Sequence, residues 1–158
     1  MDIKAIVARS ENNVIGKNNS IPWHYSKDLK HFKQSTMGDT LVMGRRTYES
    51  PGTYPGREVI VVTSTKDYDH VKTVDSPDDA IDKANNTSIW ICGGNSIYDH
   101  FMGEVDEIVV SEIPVNIDNG DTFFPEIPEY YEKYKTEDKG SFIIRRYKKQ
   151  TIPKDVLD

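Results

Sequence analysis

Short apolar runs rich in Val and Ile recur along the chain. They are IKAIVA (Ile3 to Ala8), TLVMG (Thr40 to Gly44), EVIVVTS (Glu58 to Ser64), SIWICGG (Ser88 to Gly94) and EIVVSEI (Glu107 to Ile113). Continuous apolar runs of this length predict strands buried on both faces. Helical patterns lie between them. Ser26 predicts the cap of a first helix, with an apolar face through Leu29 and Phe32. In SPDDAIDKANN, Ser76 reads as a cap, Pro77 as the first helical residue, and Asp78 and Asp79 as first-turn acids. SIYDHFMG follows the Gly93-Gly94 pair and stops at Gly103. Strands alternating with helices predict an α/β fold with a largely parallel central sheet. The tail YEKYKTEDKGSFIIRRYKK has two runs around Asp138-Lys139-Gly140, which predicts a terminal antiparallel hairpin and so a mixed sheet.

The 158 residues show no repeat, linker or low-complexity segment, so one domain over residues 1–158 is expected. Hydrophobic content of 36% and charged content of 29% fit an ordinary soluble globular chain. No apolar run approaches the roughly 18 residues of a membrane span. The N-terminus enters a strand directly, without the pattern of a signal peptide. Cys92, the lone cysteine, excludes an internal disulfide and fits a reducing cytoplasm. A net charge of −6 argues against a nucleic-acid partner, though a local basic patch could still hold an anion. The four histidines form no HxxxH pair and no CxxC exists, so no metal is expected.

In a parallel sheet, ligands gather at the carboxyl ends of the strands. Three such ends carry chemistry here. Gly44-Arg45-Arg46-Thr47 pairs a tight turn with two guanidinium groups, which suits a phosphate and equally suits two solvent-facing arginines. Thr63-Ser64 is the second end. At the third, Gly93-Gly94-Asn95-Ser96 lets backbone approach a ligand or simply turns the chain. With Glu112 at the end of the next strand it imitates a dinucleotide-binding unit, but the G-x-G-x-x-G spacing is missing. Pro55-Gly56 is a turn signal that delivers Arg57 to a strand mouth, either as a clamp for a carboxylate or as a solvated surface charge.

Asp28 raises the sharpest question. Behind Ser26 it falls in the first helical turn, where negative charge suits the helix dipole. Its neighbours Trp23, Leu29 and Phe32 also surround it with apolar surface, which favours the neutral acid. One acid among aromatics is suited to a flat, nitrogen-rich heterocycle, because two carboxylate oxygens accept side by side from a ring N–H and an amino group.

Taken together and in order, NNVIGKNNSIPW (Asn12 to Trp23), DLKHFK (Asp28 to Lys33), VMGRRTYES (Val42 to Ser50), PGR (Pro55 to Arg57), ICGGNSIY (Ile91 to Tyr98) and GDTFFP (Gly120 to Pro125) resemble the dihydrofolate reductase family from Ile3 to Lys148. The resemblance implies an eight-stranded, mostly parallel mixed sheet with a C-terminal antiparallel hairpin and about four helices. It implies reduction of 7,8-dihydrofolate to tetrahydrofolate with NADPH as cofactor, by a monomer. Asp28 is then the acid that binds the pterin and assists protonation of its N5, beside Trp23 and a Ser111 hydroxyl where threonine is usual. Ile6, Ala8, Leu29, Phe32, Cys92 and Tyr98 are pocket-wall positions, and Arg57 clamps the carboxylate of the glutamate tail. Residues Ser10 to Tyr25 match a mobile loop that closes over the site.

For the cofactor, the resemblance implies Ala8, Ile15, Gly16 and Asn19, the turn Gly44, Arg45, Arg46 and Thr47, and Thr63 with Ser64. It adds Gly93, Gly94, Asn95, Ser96, Ile97 and Asp121, with a cis peptide between Gly93 and Gly94. Arg45, Arg46 and Ser64 would favour the 2′-phosphate, with Lys66 as added charge. Asn95 stands where a third glycine is frequent, Cys92 where a branched aliphatic is usual, Ile21 where methionine or leucine is common, and Pro51 at an aliphatic wall position. Two other readings fit parts of the pattern. One is a pyrimidine reductase of riboflavin synthesis, which lacks the helix acid; the other is a non-catalytic pterin- or nucleotide-binding module.

Overall fold

The computed structural model describes residues 2–150; residue 1 and residues 151–158 of the expected domain lie outside the described residues. Eight strands form one sheet in the order β5-β4-β3-β6-β1-β7-β10-β9. They are β1 (Asp2–Arg9), β3 (Thr40–Gly44), β4 (Glu58–Val62), β5 (Lys72–Val74), β6 (Ser88–Ile91), β7 (Glu107–Glu112), β9 (Tyr131–Asp138) and β10 (Ile143–Lys149). The pairings from β5 through β7 are parallel, and β10 runs antiparallel to both β7 and β9. The terminal hairpin and the mixed eight-stranded sheet are therefore as expected.

The apolar runs fill the centre of this sheet. Leu41, Val42, Met43, Ile60, Ile89, Ile91 and Ile108 are all 0% exposed. Side chains alternate along each strand, so the two faces build two cores. Ala5, Val7, Val42, Ile91 and Val110 pack on one face with Ile97 and Phe101, and Ile6, Leu41, Met43, Trp90 and Val109 pack on the other with Phe142. Each fully buried aliphatic contributes about 1.5–3 kcal/mol. Edge strand β9 is exposed along most of its length and alternates charge, which discourages pairing with another chain.

Four helices connect the strands: α1 (Ser26–Thr36), α2 (Arg45–Glu49), α3 (Pro77–Lys83) and α4 (Asn95–Phe101). The α3 cap is as expected, with Ser76 Oγ accepting from the Asp79 amide at 3.3 Å and Pro77 opening the helix. α4 ends before Gly103, whose φ of +96° is glycine territory; a Cβ there would come within 2.6 Å of the Tyr130 hydroxyl. The start of α1 differs from expectation. Ser26 is already helical, the cap position is Tyr25, and no side chain caps the helix. The Tyr25 carbonyl instead accepts from the Asp28 and Leu29 amides at 3.0 and 3.1 Å, while Tyr25 packs edge-on against Phe142. Tertiary packing, rather than a local hydroxyl, fixes where this helix begins.

A second, two-stranded sheet was not expected. It pairs β2 (Val14–Gly16) with β8 (Thr122–Phe123). Strands of two and three residues carry no readable period. Their flanks did carry a signal: Asn13, Asn18 and Asn19 adopt φ of 64°, 51° and 62°, conformations that asparagine tolerates better than most residues.

Candidate active site

The carboxyl ends of β1, β3, β4, β6 and β7 open into one cavity of about 1720 Å³. That exceeds the roughly 300–1,000 Å³ typical of a single small-molecule site, so the cavity has room for two ligands side by side. The position is the one a parallel sheet dictates. β1 supplies Ile6 and Ala8, and β7 supplies Ser111. The end of β3 supplies Gly44, the start of α2 supplies Arg45 to Thr47, and the turn after β4 supplies Thr63 and Ser64. The β6–α4 turn supplies Cys92 to Gly94 and the start of α4 supplies Asn95 to Tyr98, and α1 lines one side with Asp28, Leu29 and Phe32.

Asp28 and Ser111 meet here. Ala8 and Ser111 are register partners on β1 and β7, and Ser111 is 1% exposed. Its hydroxyl donates to Asp28 Oδ1 at 2.6 Å. Burial raises the Asp28 pKa above its ordinary value, and the Ser111 hydrogen bond opposes that rise. The result is an acid biased toward its neutral form at the wall of an apolar pocket. His31, one turn along α1, also lines the cavity, and burial first and the field of Arg146 second lower its pKa to about 4. It is thus neutral at pH 7 and adds no positive charge beside Asp28.

Leu29 lines the cavity as expected and is 51% exposed there, and Phe32 both lines the cavity and packs on the core. Two expected positions sit differently. Trp23 does not line the cavity; it is half-buried and packs against the core beneath, the cluster that holds Ile6 and Phe142. Lys66 also lies outside the cavity lining, and every other expected site residue is on the cavity wall, Ile15, Gly16, Asn19 and Asp121 included.

At the far end of α1, Arg57 is built into an aromatic corner. Its Nε donates to the Pro55 carbonyl and its Nη1 to Thr36 Oγ1, both at 3.2 Å. The guanidinium lies 5.6 Å from the Phe32 ring centre and 5.7 Å from that of Tyr54. Tyr54 was missed from sequence; a tyrosine in a Pro- and Gly-rich loop carries no pattern that points inward. Among the described residues Arg57 has no carboxylate partner, so its remaining donors are available to an anion.

The glycine turn closes the middle of the cavity. The Gly44 amide donates to the Gly93 carbonyl at 2.8 Å, joining the ends of β3 and β6. The Gly93–Gly94 peptide is cis, and Gly93 has φ +110°. A Cβ at Gly93 would crowd the Tyr98 ring at 3.1 Å beside Thr47 Oγ1 at 3.5 Å, and its φ is one that side chains rarely adopt. Tyr98 is held in turn by its hydroxyl bond to the Ile6 carbonyl at 2.6 Å. Asn95 Nδ2 donates to the Phe123 carbonyl at 2.6 Å, tying α4 to β8 in a way a third glycine could not. Cys92 lines the cavity as a neutral thiol, its pKa raised by burial.

The middle of the Ser10 to Tyr25 segment lines this region through Ile15, Gly16, Asn19, Ser20 and Ile21. Asp121 Oδ2 accepts from the Asn18 amide at 2.9 Å, and the Asp121 amide donates to the Gly16 carbonyl at 3.2 Å. Sequence spacing also missed Asp78, His100 and Glu104, whose ligand-type atoms lie within 4.8 Å of one another; all three are exposed. No helix among the described residues is long and apolar enough to cross a membrane.

Comparison with known proteins agrees with the geometry. The family described as dihydrofolate reductase matches residues 2–151. The chain is 35% identical over 154 residues to the dihydrofolate reductase of Haemophilus influenzae, covering 92% of this chain and 96% of that protein. It is 34% identical over 160 residues to the dihydrofolate reductase of Staphylococcus aureus, covering 99% and 96%. It is 39% identical over 130 residues to the dihydrofolate reductase type 3 of Salmonella typhimurium, covering 80% of each. The chain belongs to the dihydrofolate reductase family and is an enzyme of that class.

Proposed function

We propose that this enzyme reduces 7,8-dihydrofolate to 5,6,7,8-tetrahydrofolate with NADPH, as a cytoplasmic monomer that serves one-carbon metabolism and thymidylate synthesis. The observation that carries the reading is the acid–hydroxyl pair of Asp28 and Ser111, set at the wall of a cavity large enough for two ligands. Asp28 accepts from the pterin's ring N–H and amino group and assists delivery of a proton to N5. Trp23 supports the floor of this corner from behind. Ile6, Ala8, Phe32 and Tyr98 form its walls, and Arg57 holds the carboxylate of the tail.

The remaining half of the cavity fits a phosphorylated dinucleotide. The cradle at Gly93 and Gly94 leaves backbone bare, and Arg45, Arg46, Thr63 and Ser64 bring charge and hydroxyls to the same wall. When bound, NADPH supplies the hydride from nicotinamide C4 to pterin C6. The protein's part is to stack the two rings, exclude water with the segment from Ser10 to Tyr25, and present one acid. Nicotinamide absorbance tests this: NADPH oxidation that depends on dihydrofolate is the expected result. Binding of NADPH without oxidation, or activity only on a pyrimidine, would overturn it.

A further inference from the structure

The adenosine end of the cavity carries an acid that the phosphate reading does not use. Arg45 Nη1 lies 3.1 Å from Glu49 Oε1, one turn along α2. The contact involves one nitrogen, and both side chains are 35% exposed. Such a pair alone contributes little, and a free glutamate would swing away from an incoming phosphate. Glu49 is not free. Its other oxygen, Oε2, accepts from the Tyr68 hydroxyl at 2.5 Å, and the Tyr68 ring packs against Tyr48 of α2 with centres 4.8 Å apart. The Tyr68 hydrogen bond first, and the fields of Arg45 and Lys66 after it, hold the Glu49 carboxyl below its usual range. Glu49 therefore stays ionised and stays in place, on the wall of the same cavity as Arg45, Thr63 and Ser64. Asp75, which follows the neighbouring strand β5, adds a second acid to that wall.

We propose that Glu49, clamped by Tyr68, is a specificity-determining residue: it competes with the cofactor's 2′-phosphate for Arg45 and holds the preference for NADPH over NADH below what Arg45, Arg46 and Ser64 would set without it. The inference rests on the reading of Arg45 as a phosphate contact. Its logic is electrostatic. A fixed carboxylate repels a dianionic phosphate and tolerates a ribose hydroxyl, the arrangement that dinucleotide sites use when they select the unphosphorylated cofactor.

The test measures binding of 2′,5′-ADP and of 5′-ADP to the full chain by calorimetry, alongside the ratio of kcat/KM for NADPH and NADH. In Glu49→Gln, 2′,5′-ADP should bind roughly tenfold more tightly while 5′-ADP changes by less than about twofold, and the NADPH/NADH ratio should rise in step. Tyr68→Phe should shift both in the same direction by less. Binding that is unchanged, weaker for 2′,5′-ADP, or tighter for both nucleotides alike would overturn the role of Glu49 and leave the cofactor reading standing. Failure of the unsubstituted chain to bind either nucleotide would overturn both.

Discussion

Asp28 on α1 and Ser111 on β7, 83 residues apart, meet in a 2.6 Å hydrogen bond at the wall of the cavity. The bond favours ionised Asp28, while burial, the larger effect, favours the neutral acid. The two oppose each other, and their balance sets where the acid titrates.

Ser111→Ala removes the opposing hydrogen bond and should move the Asp28 pKa further up. If protonated Asp28 assists the reaction, the rate of hydride transfer falls as pH rises through that pKa. The pH profile of single-turnover hydride transfer should therefore shift to higher pH in Ser111→Ala. An unshifted midpoint would separate Ser111 from the titration.

Arg57→Leu tests the carboxylate clamp. Dihydrofolate should bind more weakly by at least about tenfold, the scale of a lost charge-assisted pair, while a pterin without the glutamate tail is little affected. Fluorescence titration of both ligands decides. Equal losses would assign Arg57 to the structural corner it makes with Phe32 and Tyr54.

Removing Arg45 and Arg46 together should erase the preference for NADPH over NADH, since the hydroxyls of Thr63 and Ser64 alone do not balance a dianion. The ratio of kcat/KM for the two cofactors is the measurement, and an unchanged ratio would count against these arginines.

His31 gives a stability prediction. Its pKa is depressed from 6.5 to about 4 in the folded protein, so the unfolded chain binds the proton first as pH falls. Its contribution is fully present above pH 6.5 and is lost progressively between 6.5 and about 4. The urea midpoint should fall over that window, and His31→Gln should flatten the fall. Equal pH dependence in both proteins would contradict it.

The central strands were legible because burial on both faces leaves a continuous apolar run. Ile60, Ile89 and Ile108 sit where nothing polar is tolerated. Asp28 was legible because a carboxylate among Trp23, Leu29 and Phe32 breaks the local pattern. What escaped depends on tertiary contacts. Trp23 packs behind the cavity wall instead of lining it, and Tyr25 opens α1 by packing on Phe142. No sequence pattern singles out Glu49, because the tyrosine that holds it, Tyr68, lies 19 residues away. The short strands β2 and β8 follow from pairing between segments more than a hundred positions apart, which no local period records.

The most direct measurement is single-turnover hydride transfer from NADPH to dihydrofolate at pH 7, compared between the unsubstituted enzyme and Asp28→Asn. Asparagine keeps the shape and removes the ionisable proton, so the account predicts a loss of at least about 100-fold. A near-normal rate in Asp28→Asn would contradict it.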